Sequence, residues 1–175
     1  MRYEVRIGGF GGQGVITMGH LLGTAASLYL GFKAVMTESY GPEARGGACK
    51  TDLVISDVPI DYPKTIILDC LVAMNPDAYN SYIGDLRKGG IVIFNSSLFE
   101  VANRFEGVTY LAIPATKLAQ EIGASQATNV IMLGAVAAVS KIIEINSLRK
   151  AVTERFPKAV SLNMKALEAG YVFAK

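Results

Sequence analysis

A chain of 175 residues, 51% hydrophobic and 18% charged, is long enough for one domain with a real core and too apolar to stay disordered. Its two cysteines exclude a disulfide scaffold, and a net charge of +2 excludes the electrostatic footprint of a nucleic-acid or membrane-surface binder. So many apolar residues beside so few charges point to a surface partly covered by partners, and a homodimer is expected when the chain is isolated.

Met1-Arg2-Tyr3-Glu4-Val5-Arg6-Ile7 alternates charged and apolar side chains as a half-buried strand does. No apolar export segment follows, so the cytoplasm is the expected compartment. A first strand is predicted over Tyr3–Gly8, then a glycine-rich turn and a helix from Gly14 to Tyr29. That helix is expected to present Ile16, His20, Leu21, Thr24 and Leu28 on one face. Short strands are predicted over Lys33–Thr37, Thr51–Ile55 and Leu71–Met74, with Asp57, Pro59, Asp61 and Pro63 supplying turns. Asn75 is a plausible N-cap with Pro76 at the first helical position, and Gly89-Gly90 should end that helix. Ile91–Phe94 reads as a central strand before the loop Asn95-Ser96-Ser97, and Val108–Ile113 as another before a helix opened by Pro114 and ended near Gly123.

From Asn129 onward the pattern is helical. Asn129 is expected to cap a buried helix over Val130–Ile143, whose apolar run is broken only by Gly134 up to Val139. That run is about half the roughly 20 residues needed to span a bilayer, so no membrane segment is expected. Asn146 or Ser147 should cap a further helix stopped by Pro157, and Ser161 a last one. The segment from Lys141 carries seven basic and three acidic residues, which reads as a solvated helical face or as a basic rim for an anionic partner. Alternating strands and helices predict a single α/β domain over residues 1–175. Its expected form is three-layer α/β/α, with a mostly parallel or mixed central sheet and a Rossmann-like first βαβ unit.

Two segments carry chemistry. Gly8-Gly9-Phe10-Gly11-Gly12-Gln13-Gly14 satisfies G-x-G-x-x-G through Gly9, Gly11 and Gly14, directly after a strand and opening a helix. Such glycines permit positive φ and close approach, and the helix start favours a phosphate. Glu38 stands near the position of a ribose-binding acid, so a nicotinamide-nucleotide module is one reading. A tight turn needed only for packing is another. The second segment, Glu38-Ser39-Tyr40-Gly41-Pro42-Glu43-Ala44-Arg45-Gly46-Gly47, is a loop where Arg45 would grip a phosphate or carboxylate bidentately. A plain solvated loop is the alternative. His20, the single histidine, is expected in a core or interface role rather than in catalysis. With two cysteines in no CxxC arrangement, the chain offers no cluster ligand set, no metal site and no catalytic residue of its own.

Together these segments strongly resemble the gamma subunit of 2-oxoacid:ferredoxin oxidoreductases. So do Asp69-Cys70-Leu71-Val72-Ala73-Met74, Gly89-Gly90-Ile91-Val92-Ile93, Ile113-Pro114-Ala115 and Asn129-Val130-Ile131-Met132-Leu133-Gly134, in order along the chain. The form Tyr40 to Gly47, with Ser56-Asp57 and Ile60-Asp61-Tyr62-Pro63 after it, is most similar to the 2-oxoglutarate member. Branched-chain, pyruvate and indolepyruvate members share the scaffold.

The resemblance implies a non-autonomous subunit of an enzyme that decarboxylates a 2-oxoacid oxidatively, forms an acyl-CoA and reduces ferredoxin. It assigns thiamine diphosphate, magnesium and iron–sulfur clusters to alpha, beta and ferredoxin-like delta partner subunits, and associates this chain with coenzyme A. The cofactor-contacting residues it implies are Gly9, Gly11, Gly12, Gln13, Gly14, Tyr40, Glu43, Arg45, Gly46 and Gly47. The two loops are expected to converge at strand ends, where ligands of open α/β sheets collect.

Overall fold

The computed structural model of the chain describes residues 1–42 and 46–175. The strands are β1 (Arg2–Phe10), β2 (Lys33–Tyr40), β3 (Ala48–Ser56), β4 (Leu68–Ala73), β5 (Leu86–Asn95) and β6 (Thr109–Ile113). The helices are α1 (Val15–Thr24, continued by a π-helical turn over Ala25–Tyr29), α2 (Pro76–Tyr82), α3 (Ala115–Glu121), α4 (Thr128–Val139), α5 (Ile145–Arg155) and α6 (Val160–Ala174). The six strands form one sheet in the order β2-β3-β1-β4-β5-β6. β1, β4, β5 and β6 run parallel, while β3 is antiparallel to both β1 and β2.

The mixed α/β sheet is as expected, but its first unit is split. β2 is parallel to β1 yet does not touch it, because β3 folds back from β2 as a hairpin and takes the place between them. The predicted strands were too short here: extended to Tyr40 and from Ala48, β2 and β3 leave only a hairpin tip between them.

Each face of β1 is buried for a different reason. Val5 and Ile7 enter the main core with Leu53, Ile55, Val72 and Ile93, beneath α1 and α4. Glu4 and Arg6 point to the opposite face, yet they are only 4% and 6% exposed. The alternation in the sequence is real, but the charged face is covered and its charges are paired rather than hydrated. A smaller core of Leu71, Ala73, Tyr79, Val92 and Phe94 lies on that side. The layers are therefore unequal, with one short helix opposing a thick helical layer.

α4 is the centre of that thick layer. Val130 through Ala137 are all buried, so the helix is apolar on every side. It begins at Thr128 after Ala127, so Asn129 lies inside the first turn and is not its cap. Likewise α5 starts after Glu144, and Ser147 bonds back to the Glu144 carbonyl at 2.6 Å. α6 starts after Ala159 with no side-chain cap at Ser161. The Asn75 cap is present: its Oδ1 accepts from the Ala78 N–H at 2.8 Å. That helix ends at Tyr82, however, and Gly89-Gly90 lie in β5 at a bulge opposite Leu68–Cys70, with Gly89 at φ 82°. Among the described residues no helix is long and apolar enough to cross a membrane.

Both cysteines are buried free thiols, Cys49 on β3 and Cys70 on β4. Burial, helped by the charge of Asp69, pushes the Cys70 thiol up to about 12, and burial also raises that of Cys49. Neither is expected to react with a disulfide reagent at pH 8 in the folded chain, and both should react after unfolding. Fast labelling of either under native conditions would contradict this placement.

Candidate functional site

The carboxyl ends of β1, β4 and β5 open onto a cleft of about 510 Å³. Gly12, Gln13 and Gly14 form one wall, Met74 and Asn95 the floor, and Ser125 to Asn129 the far wall. This is where a parallel sheet presents its ligand-binding edge. Among the described residues the lining side chains are amides, hydroxyls and apolar groups, so the cleft offers hydrogen bonds and helix starts.

The glycine loop is held from inside. Gln13 folds back so that its Oε1 accepts from the Phe10 N–H at 2.7 Å and from Asn75 Nδ2 at 3.0 Å. Asn75 in turn caps α2, so one amide chain ties the loop to the next strand–helix junction. Gly9 lies beneath this: a Cβ there would come within 2.8 Å of Val15 and 2.9 Å of Met74. Its glycine serves packing, not the cleft surface. Gly14, at φ 76°, is packed against Asn129, whose Cγ a Cβ would approach to 2.7 Å. Gly12, at φ 91°, has open space around it.

The second loop comes to the first. β1–β3 pairing sets Phe10 beside Ala48, and the Gly11 N–H donates to the Gly47 carbonyl at 2.9 Å. Gly46 packs so close that a Cβ on Gly11 would meet its nitrogen at 3.2 Å. Gly11 and Gly47 thus join the hairpin tip to the cleft wall. Tyr40 is the last residue of β2, exposed, with its hydroxyl donating to Glu38 at 3.0 Å, which raises its pKa. Glu43 and Arg45 lie outside the described residues.

Glu38 and His20 are not where the sequence placed them. The inserted β3 sets β2 two strand spacings from β1, roughly 10 Å, and Glu38 faces His20 rather than the glycine loop. His20 Nε2 lies 3.3 Å from Glu38 Oε1, and the histidine side chain is 62% exposed. The buried side of α1 is instead Val15, Met18, Gly19, Leu21 and Leu22, and Leu28 is exposed. Heptad-like spacing misled because α1 lies between the sheet and other helices.

Sequence reasoning missed Asn95, Thr116, Gln126 and Asn129 as site residues. Asn95 ends β5; its Oδ1 accepts from Ser97 N and Ala115 N at 3.2 Å each, and its Nδ2 donates to Thr116 Oγ1 at 2.9 Å. A buried polar residue closing a central parallel strand was the available signal.

The chain matches the family model described as pyruvate ferredoxin/flavodoxin oxidoreductase over residues 4–173. It is 44% identical over 178 residues to the 2-oxoglutarate synthase subunit KorC of Methanocaldococcus jannaschii, covering 100% of this chain and 95% of that protein. The crystal structure of a keto/oxoacid ferredoxin oxidoreductase gamma subunit from Geobacter sulfurreducens is similar at TM-score 0.88 and 36% identity, over 99% of this chain and 97% of that one. The 2-oxoglutarate:ferredoxin oxidoreductase of Magnetococcus marinus shares the fold at TM-score 0.91 and 23% identity, over 99% of this chain and 31% of that one. A whole-length match of this kind bears out the resemblance carried by the two loops, and the chain belongs to the pyruvate ferredoxin/flavodoxin oxidoreductase family.

Proposed function

We propose that this chain is the gamma-type subunit of a 2-oxoglutarate:ferredoxin oxidoreductase, and that it supplies a coenzyme A-binding wall beside an active site completed by other subunits. The observation that carries the reading is the 44% identity along the whole chain to a 2-oxoglutarate synthase subunit. The Magnetococcus marinus relative is described with 2-oxoglutarate, coenzyme A and succinyl-CoA bound.

The geometry supports the division of labour. Gly11 to Gly14 lead into α1 at the strand ends, and Gly46-Gly47 meet them, which supports a seat for a coenzyme A phosphate there, with Arg45, next to Gly46 in sequence, as the cation proposed to bind it. Gly9 and Tyr40 act in support of this wall, and Glu43 is proposed to act with them. Thiamine diphosphate, magnesium and iron–sulfur clusters fall to alpha, beta and delta partners. A nicotinamide module is disfavoured by Glu38, which pairs with His20 across β3 from the glycine loop.

The test is co-purification through a carboxyl-terminal tag, followed by dye reduction with 2-oxoglutarate and coenzyme A. A complex active with both supports the reading. A complex active only with pyruvate or branched-chain oxoacids, or a lone chain that binds NAD, overturns it. Within an active complex, Arg45→Ala should raise the KM for coenzyme A by about tenfold or more, the worth of a charge-assisted contact. An unchanged KM with weakened assembly would make the tip a docking loop only.

A further inference from the structure

The loop over residues 57–67, between β3 and β4, is bound to β1 by its backbone while its apolar side chains stay outside. Glu4, only 4% exposed, accepts through Oε2 from the N–H groups of Ile66 and Ile67 at 2.5 and 3.0 Å. Arg2 Nη1 and Nη2 donate to the Tyr62 and Lys64 carbonyls at 2.9 and 2.8 Å, and the amino terminus pairs with Asp57 at 2.5 Å. Yet Ile66 is 64% exposed and Ile67 55%, and Met1, Val58 and Tyr62 are about half exposed. Single apolar side chains on a surface mean little, but a group of them on one tethered loop and the strand end it binds marks an interaction face. The face lies at the amino ends of β1 and β4, so covering it leaves the cleft at the carboxyl ends free.

Its charges say what covers it. Asp61 and Lys64 flank Tyr62 and Pro63 and are both exposed. Among the described residues neither forms an ion pair, with the other or with a third group. Opposite charges at fixed places on one loop are complementary to their own image across a two-fold axis. A partner surface of a single sign would satisfy only one of them. The exposed apolar side chains amount to roughly 500 Å², and with the rim of Asp57, Asp61, Pro63 and Lys64 the face approaches the ~800 Å² that each partner gives a stable interface. The bound backbone also leaves little loop entropy to lose on association. We propose that this face joins two copies of the chain, with Ile66 and Ile67 at the centre and Asp61 of each copy against Lys64 of the other.

The experiment follows the isolated full chain by sedimentation equilibrium over micromolar concentrations, where the wild type should be a dimer. Ile66→Asp, at a side chain outside the core, should weaken that dimer by about thirtyfold or more, the effect of losing a central contact. Asp61→Lys alone and Lys64→Asp alone should each weaken it by about tenfold, since like charges then meet twice across the axis. Mixed together, these two variants should form a heterodimer as tight as the wild-type dimer, because opposite charges face each other again. A wild-type chain that stays monomeric, as it would if another subunit covers this face, overturns the proposal. So does a dimer indifferent to Ile66→Asp, or a mixture of the two charge variants no tighter than either alone.

Discussion

Gly134→Ala and Gly170→Ala are each expected to destabilise the chain by about 3 kcal/mol or more, at the upper end of overpacking costs. The reason is a backbone-to-backbone crossing of α4 and α6. A Cβ on Gly134 would run into the Leu167 carbonyl oxygen and come within 2.7 Å of Tyr171 N. One on Gly170 would run into the Ile131 carbonyl oxygen and come within 2.7 Å of its carbon. Alanine gains about 1 kcal/mol over glycine as a helix former, but that gain is smaller and of opposite sign. The neighbour cannot swing aside like a side chain, because it is the backbone of a helix packed on its other faces. At about 3 °C per kcal/mol for a domain this size, each variant should melt roughly 10 °C lower. The double variant should fall short of the sum, since both changes strain one crossing. Unfolding by heat and by urea checks this, and a melting temperature equal to or above wild type would mean the helices do not touch there.

That crossing also shows what can be read from a sequence. Gly134 was visible as the single break in an apolar run, but nothing local says which helix it admits. Strand and helix positions were legible because periodicity and glycine or proline punctuation are local. Strand order was not, since β3 enters between β1 and β2 through long-range pairing, and this displaced Glu38 from the glycine loop. Gly89-Gly90 resembled a helix stop but occupy a bulge in β5, because left-handed glycine serves both. His20 and Asn129 both departed from expectation: the histidine is exposed rather than in the core, and the asparagine, expected as a cap, is nearly buried in the first turn of α4 beside the cleft. Of the site, the glycine loop and its meeting with the hairpin tip were readable, whereas the far wall comes from the turn before α4 and from its first residues and becomes part of the cleft only on folding.

The charged face of β1 carries the other large effect. Arg6 Nε donates to Asp52 Oδ1 at 2.5 Å, and its Nη2 reaches Asp52 Oδ2 at 3.1 Å and Thr65 Oγ1 at 3.0 Å. Its Nη1 bonds to Asp85, and its guanidinium lies over the Tyr82 ring, 4.9 Å from the centroid. Lys50 adds a contact to Asp52 at 3.3 Å. Removing Asp52 leaves the buried guanidinium with only the half-exposed Asp85 as a charged partner, so Asp52→Ala should cost about 3 kcal/mol. Replacing both by apolar residues, Arg6→Met with Asp52→Leu, should recover much of that loss, because desolvating two charges offsets most of their attraction. The pH dependence has a definite sign. Burial alone would raise the Asp52 carboxyl, but the hydrogen bond and charge of Arg6, with Lys50, hold it below the usual carboxylate range. A carboxyl depressed in the folded state adds stability above its unfolded value near 4, and loses it as pH falls through the lower folded value. Urea unfolding should therefore show wild-type stability dropping between pH 5 and the acid limit, with a flatter profile for Asp52→Asn. Parallel profiles for the two chains would place the acid-sensitive group elsewhere and reduce the Arg6–Asp52 pair to a contact without thermodynamic weight.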